Sequence, residues 1–139
     1  MKGDFPIPIN YLYDKKGSEL YNQIITHPNY YLYDVEKKLI SENTHIINNF
    51  EPNSIILEIA CGYAEKIIPL IKKGQESPHM CRFLANDISY TFIKDTTNLY
   101  QKHNLELDVL CENIFMNANV IREKYPDQNI ILVWLGSSL

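Results

Sequence analysis

The sequence of 139 residues is short of cysteine and glycine, has a small excess of acidic residues, and contains no long hydrophobic run. Its three cysteines, Cys61, Cys81 and Cys111, are too widely spaced for a disulfide framework or a zinc site, which predicts a reducing, cytoplasmic location. No apolar stretch approaches the roughly 20 residues that cross a membrane. The net charge of -4 argues against a nucleic-acid-binding protein.

Metal sites and nicotinamide chemistry are also disfavoured. The four histidines are not spaced as metal ligands are, so no metal site is predicted. Only five residues are glycine, and Glu65 stands where a dinucleotide-binding loop has its third glycine. A glutamate is too bulky for the close contact between helix and strand at that point, which argues against a nicotinamide-dependent dehydrogenase.

The most informative stretch begins with the apolar, β-branched residues 55–59 and continues through Ala60 and Gly62 into a helical pattern. This order predicts a strand, a tight loop and a helix N-terminus, the unit that binds nucleotide-type cofactors in α/β proteins. Glu58 can accept hydrogen bonds there from an ammonium group or from ribose hydroxyls. An ordinary turn between a strand and a helix is an equal alternative for this motif taken alone.

The hydrophobic pattern predicts a regular alternation of elements after an extended arm at residues 1–10. One helix begins at Ser18, which would cap it, and ends at His27-Pro28-Asn29, and a second spans residues 30–49. The other predicted elements are strand 55–59, helix 64–73 with an irregularity at Pro69, loop 74–79, strand 82–86, a helix from Ser89 to about His103, strand 106–110, helix 118–124 and strand 130–135.

This alternation predicts an α/β fold with about four parallel strands in the order 3-2-1-4 and helices on both faces. Residues 1–53 would form an arm and a helical lid, and residues 54–139 a partial Rossmann-like domain. Glu58, Gly62, Asp87 and Asn113 would converge at the carboxyl ends of the strands, where ligands bind. Asp87 can either hold a ribose or cap the next helix, and the sequence favours neither.

Five ordered segments resemble the N-terminal part of the histidine-specific, S-adenosylmethionine-dependent N-methyltransferases of the ergothioneine pathway. They are residues 13–21, residues 24–31 with Glu36 after them, residues 58–66, residues 86–89 and residues 135–138. The resemblance implies a class I methyltransferase fold with S-adenosylmethionine as cofactor. It implies cofactor contacts at Ala60, Lys66, Asp87, Asn113 and Ile114.

The resemblance also implies substrate contacts from Tyr13 and Tyr30, which belong to a cluster of tyrosines near the N-terminus. Aromatic faces can surround a methylated ammonium group by cation–π attraction. The alternative is that these tyrosines pack a pair of helices over the sheet with their hydroxyls at the surface. No residue is predicted as a general base, so no catalytic residue is assigned.

The sequence departs from the family pattern at four places. Asp34 stands where the family usually has an arginine. Ala60 replaces a glycine, and Asn113 and Ile114 replace an Asp-Phe pair, which predicts altered adenine recognition. The sequence stops within the fourth-strand motif, before the asparagine that the family uses on the substrate amine. We therefore expect a truncated fold in which residues 130–135 form a sheet edge that pairs with a second copy or with a partner chain.

Two functions are consistent with these observations. The first is a small-molecule methyltransferase that acts on a small amine or amino-acid-like substrate, as a homodimer or with a completing partner chain. The alternative is a catalytically incomplete half-domain that binds S-adenosylmethionine and acts as a regulatory or partner subunit.

Overall fold

The structure is a computed structural model, and it describes residues 13–77 and 81–136, apart from the side chains of residues 115–117. The predicted arm at residues 1–10 lies outside the described residues. The helices are α1 (Lys15–Ile25), α2 (Leu32–Glu42), a short 3₁₀ helix (Thr44–Asn49), α3 (Ile68–Glu76), α4 (Tyr90–Lys102) and α5 (Ile114–Lys124), and the strands are β1 (Ile55–Ile59), β2 (Arg82–Asp87), β3 (Asp108–Cys111) and β4 (Ile130–Trp134).

The four strands form one parallel sheet in the order β3-β2-β1-β4, which confirms the predicted topology. In register, Ile55 of β1 lies opposite Arg82 of β2 and Ile130 of β4. Helices α3 and α4 pack on one face of the sheet and α5 on the other. This arrangement follows from right-handed crossovers, because the chain first moves from β1 to β3 and then returns past β1 to β4.

The core lies on both sides of β1, whose five residues are all buried. Ile56 faces the cluster that includes Ile67 and Ile71, whereas Ile55 and Leu57 face the cluster that contains Ile121 of α5. A strand that is covered on both faces has an unbroken apolar run rather than an alternating pattern, and this explains why β1 could be predicted to the residue.

Helix α1 begins three residues earlier than predicted. The carboxylate of Asp14 caps it by accepting a hydrogen bond from the Gly17 N–H at 2.7 Å. Ser18, the predicted cap, instead lies fully buried inside the helix, where its hydroxyl contacts that of Ser89 at 3.0 Å. Both residue types are good caps, so the sequence alone could not choose between them.

The predicted single helix over residues 30–49 is wrong, because the chain forms α2 and then a separate 3₁₀ helix. The Asn43 side chain donates a hydrogen bond to the Leu39 carbonyl at 2.8 Å, which satisfies the end of α2. An asparagine that bonds to the backbone in this way competes with helix continuation.

The predicted helix over residues 64–73 is displaced, since α3 spans Ile68–Glu76. Ala64 has a φ of 46°, a left-handed conformation that no α-helix contains. Pro69 lies in the first turn of α3, where its missing N–H costs nothing, so it starts the helix rather than interrupting it. Gly74, predicted to open a loop, lies inside α3 against Phe83 of β2.

The remaining boundaries differ from the prediction by one to four residues. Strand β3 spans Asp108–Cys111 instead of residues 106–110, and β4 ends at Trp134 instead of residue 135. Helix α5 begins at Ile114, four residues before the predicted start. The helix that follows β2 was predicted almost correctly, since α4 spans Tyr90–Lys102.

Among the described residues, β4 pairs with β1 alone and forms one edge of the sheet. Its residues alternate in exposure: Ile131 and Val133 pack against the core, whereas Leu132 and Trp134 are 63% and 43% exposed. Leu132 lies in register with the buried Leu57, so α5 covers this face over β1 but leaves it open over β4. The expected apolar edge is therefore present in the described part of the chain.

Candidate functional site

A pocket of about 290 Å³ opens at the carboxyl ends of the strands. Ligand pockets in proteins start at about this size. It is lined by α1, α2, the loop after β1, the ends of β2 and β4, and the start of α5. The lining includes Tyr13, Tyr21, Tyr33, Glu58, Ala60, Gly62, Tyr63, Glu65, Lys66, Asn86, Asp87, Phe92, Asn113, Ile114 and Trp134. The structure therefore brings eight of the nine predicted site residues together.

The loop after β1 is held in an unusual backbone conformation by α4. Ala60, Gly62 and Ala64 have φ angles of 52°, 54° and 46°. The Thr96 hydroxyl donates to the Gly62 carbonyl at 3.0 Å, and the Tyr100 hydroxyl donates to the Ala64 carbonyl at 2.8 Å. A Cβ at Gly62 would meet nothing within 4 Å, so this glycine leaves open space for a ligand to approach the backbone.

Asp87, at the end of β2, joins the loop to the next helix. One carboxylate oxygen accepts from the Gly62 N–H at 2.9 Å, and the other accepts from the Ser89 N–H at 2.8 Å. Ser89 is the N-cap of α4, so the alternative that Asp87 caps this helix is wrong. Burial raises the pKa of Asp87 and the backbone hydrogen bonds oppose that rise. The backbone N–H groups of Gly62, Ser89 and Ile88 do not use all of the carboxylate's lone pairs, so a ribose hydroxyl could still donate to it.

Glu58 is a buried carboxyl group with a hydrogen-bonding atom to spare. Its side chain lines the pocket, is 3% exposed, and has no partner for Oε2 among the described residues. Burial raises its pKa to about 8, and the positive charge of Lys66 opposes this shift. Because an unsatisfied buried oxygen is costly, the position fits a donor supplied by a ligand, such as an ammonium group.

Lys66, in the loop after β1, is held by Glu36 of α2. The Lys66 Nζ donates to Glu36 Oε2 at 2.7 Å and lies 5.5 Å from the centre of the Tyr33 ring. The other oxygen of Glu36 accepts from the Gly136 N–H at 2.8 Å. The family resemblance included Glu36 in a motif but assigned it no role at the site, and its partners are 30 and 100 residues away along the chain.

The predicted substrate tyrosines lie at different places. Tyr13 lines the pocket, but Tyr30 is not among its lining residues. Tyr21, Tyr33 and Tyr63 do line it, although the sequence singled out none of them. Tyr21 and Tyr63 both contact Phe92 edge-on, with ring centroids 5.9 and 4.8 Å apart. The clustering of tyrosines over α1 and α2 predicted that they line one wall of a pocket. It did not predict which of their rings face the pocket.

Asn113 and Ile114 line the pocket from the start of α5. Their loop is held by Asn86, a buried residue of β2 that the sequence prediction missed. The Asn86 side chain donates to the Leu110 carbonyl at 3.2 Å and to the Glu112 carbonyl at 2.8 Å. Since these bonds fix the end of β3, they also set where Asn113 meets the pocket.

Residues 13–77 and 81–136 form neither a metal-ligand cluster nor a membrane-spanning helix. They contain no cluster of histidine, cysteine, aspartate or glutamate that could hold a metal ion. None of their helices has both the length and the apolar composition needed to span a membrane.

The topology and the pocket define a class I S-adenosylmethionine-dependent methyltransferase fold. A putative enzyme of this kind from Methanococcus maripaludis matches with a TM-score of 0.54 and 18% identity, over 96% of this chain and 67% of the other. The plantazolicin methyltransferase, solved with S-adenosylhomocysteine, matches with a TM-score of 0.51 and 13% identity, over 77% of this chain and 38% of the other. At these identities the likeness shows the fold.

The family is shown by the sequence itself. Residues 4–139 match the family of histidine-specific, S-adenosylmethionine-dependent methyltransferases, and the chain belongs to this family. A curated relative, ergothioneine biosynthesis protein 1 of Schizosaccharomyces pombe, is 26% identical over 148 residues, or 96% of this chain. The chain spans 18% of the length of that relative.

S-adenosylmethionine is the cofactor of this family, and the pocket fits it. The partnerless Oε2 of Glu58 suits the cofactor's ammonium group, and Asp87 retains lone pairs for the ribose. The open space at Gly62 lets the cofactor approach the backbone. These fits come from two segments of the chain, residues 58–62 and the end of β2, which meet at one pocket.

Proposed function

We propose that this chain transfers a methyl group from S-adenosylmethionine to the nitrogen of a small amine or amino-acid-like substrate. The observation that carries this proposal is the pairing of a buried, partnerless carboxyl group, Glu58, with a wall of tyrosines in one pocket. The carboxyl group suits the cofactor's ammonium. The rings of Tyr13, Tyr21, Tyr33 and Tyr63 suit the methylated ammonium group that the transfer produces, since each cation–π contact contributes about 0.5–2 kcal/mol.

The reaction asks little covalent chemistry of the protein. The neutral amine nitrogen forms a bond to the sulfonium methyl carbon, the carbon–sulfur bond breaks with its electron pair going to sulfur, and the amine proton leaves to solvent. Alignment of nitrogen, methyl and sulfur is the main requirement. In our proposal Glu58, Ala60, Gly62, Lys66, Asp87, Asn113 and Ile114 hold the cofactor, Tyr13 and Tyr30 contact the substrate, and residues 1–53 act as a lid.

The test is transfer of a labelled methyl group from S-adenosylmethionine to a panel of small amines and amino acids that includes histidine. We expect label in at least one amine, and at least tenfold less in the Glu58→Gln variant, the loss expected for one hydrogen bond to a charged group. Lys102→Gln, at the end of α4, lies outside the pocket lining and should transfer at the wild-type rate. Failure with every amine despite cofactor binding would contradict the proposal.

A second candidate is a half-domain that binds the cofactor without turnover and serves as a regulatory or partner subunit. The observation that favours it is the open face of β4, where Leu132 and Trp134 are exposed beside the pocket-forming strands. Binding of S-adenosylmethionine with no transfer to any amine would support this candidate over the enzyme.

We also propose that β4 gains a further strand from a second copy of the chain. Its residues, Ile130–Trp134, carry no charge and no proline that would protect an edge from pairing. A two-fold axis at this edge would pair the two β4 strands antiparallel and join two four-stranded sheets. Such a dimer would cover the exposed side chains of Leu132 and Trp134.

The predicted cytoplasmic location is likewise a proposal. Cys61 and Cys81 are buried free thiols and Cys111 is a partly buried one. Burial raises the pKa of all three thiols, which keeps them protonated and unreactive. Three free thiols support a reducing compartment.

A further inference from the structure

Glu36 connects helix α2 to two other segments that border the pocket. One of its carboxylate oxygens accepts from Lys66 Nζ at 2.7 Å, in the loop after β1, and the other accepts from the Gly136 N–H at 2.8 Å, just after β4. These two segments are 70 positions apart in the chain. A single side chain therefore connects α2, the cofactor loop and the end of β4.

Two neighbouring residues of α2 support the same connection. The Tyr33 hydroxyl donates to Glu65 Oε2 at 3.0 Å, its ring lies near Lys66 Nζ, and Lys37 forms an ion pair with Glu65. Apart from this polar network α2 is weakly anchored, because none of its residues is buried. Its position over the pocket thus depends largely on these polar contacts, with one partly buried apolar contact to the core from Ile40.

The Glu36 carboxylate also competes with Glu58 for the ammonium group of Lys66. Lys66 is close enough to Glu58 to influence its ionisation, yet its Nζ bonds to Glu36 and Oε2 of Glu58 stays without a partner. A lysine released from Glu36 would be drawn to Glu58, the buried carboxyl group of the pocket that its charge already influences. It would then occupy the atom that the cofactor's ammonium needs.

We infer that Glu36 is a positioning residue for the cofactor site: it withholds Lys66 from Glu58 and, by also accepting from Gly136, latches α2 over the pocket. This inference rests on the proposed role of Glu58 in holding the cofactor. Glu36 itself need not touch the ligand, since it acts through Lys66 and through the backbone after β4.

The first test is a calorimetric titration of S-adenosylhomocysteine into the wild type and Glu36→Gln. The amide keeps the shape and the contact to Gly136 but removes the charge that holds Lys66. We expect about tenfold weaker binding, the effect of losing one hydrogen bond to a charged group. Glu42→Gln removes one charge from the same helix at an exposed pair with Lys38, and it should bind as the wild type does. Equal affinity of Glu36→Gln and the wild type would overturn the inference.

A double-mutant cycle separates positioning from a general effect on stability. If Glu36 acts through Lys66, then Lys66→Met and the double variant Glu36→Gln/Lys66→Met bind with the same affinity. Additive losses in the double variant would contradict this route.

Hydrogen exchange of the ligand-free protein tests the latch without any cofactor. We expect the amides of α2 to exchange about tenfold faster in Glu36→Ala, which loses the contacts to both Lys66 and Gly136, than in the exposed control Glu42→Ala, because the contacts that hold α2 are few. Unchanged exchange would overturn the latch. A wild type that binds no S-adenosylhomocysteine would contradict the proposed function instead, and the exchange experiment would still decide the role of Glu36.

Discussion

At the scale of single residues, the cofactor loop contains backbone strain that the sequence shows only indirectly. Ala60 occupies the family's glycine position, and its φ of 52° lies in the left-handed region that costs an alanine about 1–2 kcal/mol. The sequence alone suggested that a methyl group could be tolerated here. The structure leaves room for the methyl group, because Ala60 is exposed. The free-energy cost of the alanine comes instead from its left-handed backbone conformation.

Replacing this alanine should therefore stabilise the protein. We expect Ala60→Gly to raise the free energy of unfolding by about 0.5–1 kcal/mol, after the greater flexibility of glycine in the unfolded chain is subtracted. Urea denaturation measures the change. The control is Ala118→Gly on the exposed surface of α5, which should lose about 1 kcal/mol. A loss of similar size at both positions would show that Ala60 is not strained.

Glu58 should make the stability of the protein fall as pH rises. Its folded-state pKa, about 8, lies above its ordinary value of 4.5, so between these pH values the folded state binds more protons than the unfolded state. Its contribution is therefore most favourable below about pH 4.5 and is lost as pH rises towards 8.

The variant Glu58→Gln removes this titration. We expect it to exceed the wild type in stability at pH 8 by more than at pH 5.5, as measured by urea denaturation at each pH. A difference between the two proteins that does not change with pH would mean that Glu58 ionises normally in the folded state.

At the scale of elements, the hydrophobic pattern predicted which segments form helices and strands, but it did not locate most of their ends. Strand β1 was predicted to the residue because it is apolar apart from Glu58 and is bounded by a turn. Helix α3 was displaced because the apolar period continues back through Ile67, and only the left-handed Ala64 and the position of Pro69 show the true start. Such boundaries depend on capping and backbone geometry, which a hydrophobic period does not report.

Gly74 also shows why element ends were hard to predict. A glycine in a sequence usually indicates the end of a helix, but Gly74 lies inside α3, where it is needed for packing. A Cβ at this position would lie 2.9 Å from a ring carbon of Phe83 and 3.3 Å from Ile47. Both neighbours are buried, so neither can move freely. The glycine lets α3 lie close to β2 and the 3₁₀ helix.

We therefore expect Gly74→Ala to destabilise the protein by about 1–3 kcal/mol, although alanine favours a helix by about 1 kcal/mol in the absence of contacts. Thermal unfolding measures the loss. The smaller side chain of Phe83→Leu should relieve the clash, so the double variant should lose less than the sum of the two single changes. Additive losses would indicate that Gly74 matters for another reason.

At the scale of the whole molecule, the sheet order and the edge that carries the pocket were predictable. Right-handed crossovers leave few ways to arrange four alternating strands, and the carboxyl ends then meet at one edge. The contacts between segments were not predictable: Glu36 reaches Lys66 and Gly136, and Ser18 reaches Ser89, over separations of 30 to 100 residues. No local pattern indicates which polar residues meet across such distances.

The proposed pairing of β4 belongs to this scale. We expect the wild type to be a dimer at micromolar concentration and Leu132→Asp to be a monomer, because a charge on the exposed face of β4 would be buried in the pair. Sedimentation velocity measures both. Val120→Asp places the same charge on an exposed apolar position of α5 and should remain dimeric. A monomeric wild type would contradict the pairing.

The most direct test of the account is a calorimetric titration of S-adenosylmethionine into the purified wild-type protein, with a nicotinamide dinucleotide as the control ligand. We predict one binding site per chain with a dissociation constant on the order of micromolar, which corresponds to a binding free energy of about −8 kcal/mol. The dinucleotide should give no heat of binding. Absence of S-adenosylmethionine binding to the folded protein would contradict the claim that Glu58, Gly62, Lys66 and Asp87 form a working cofactor site.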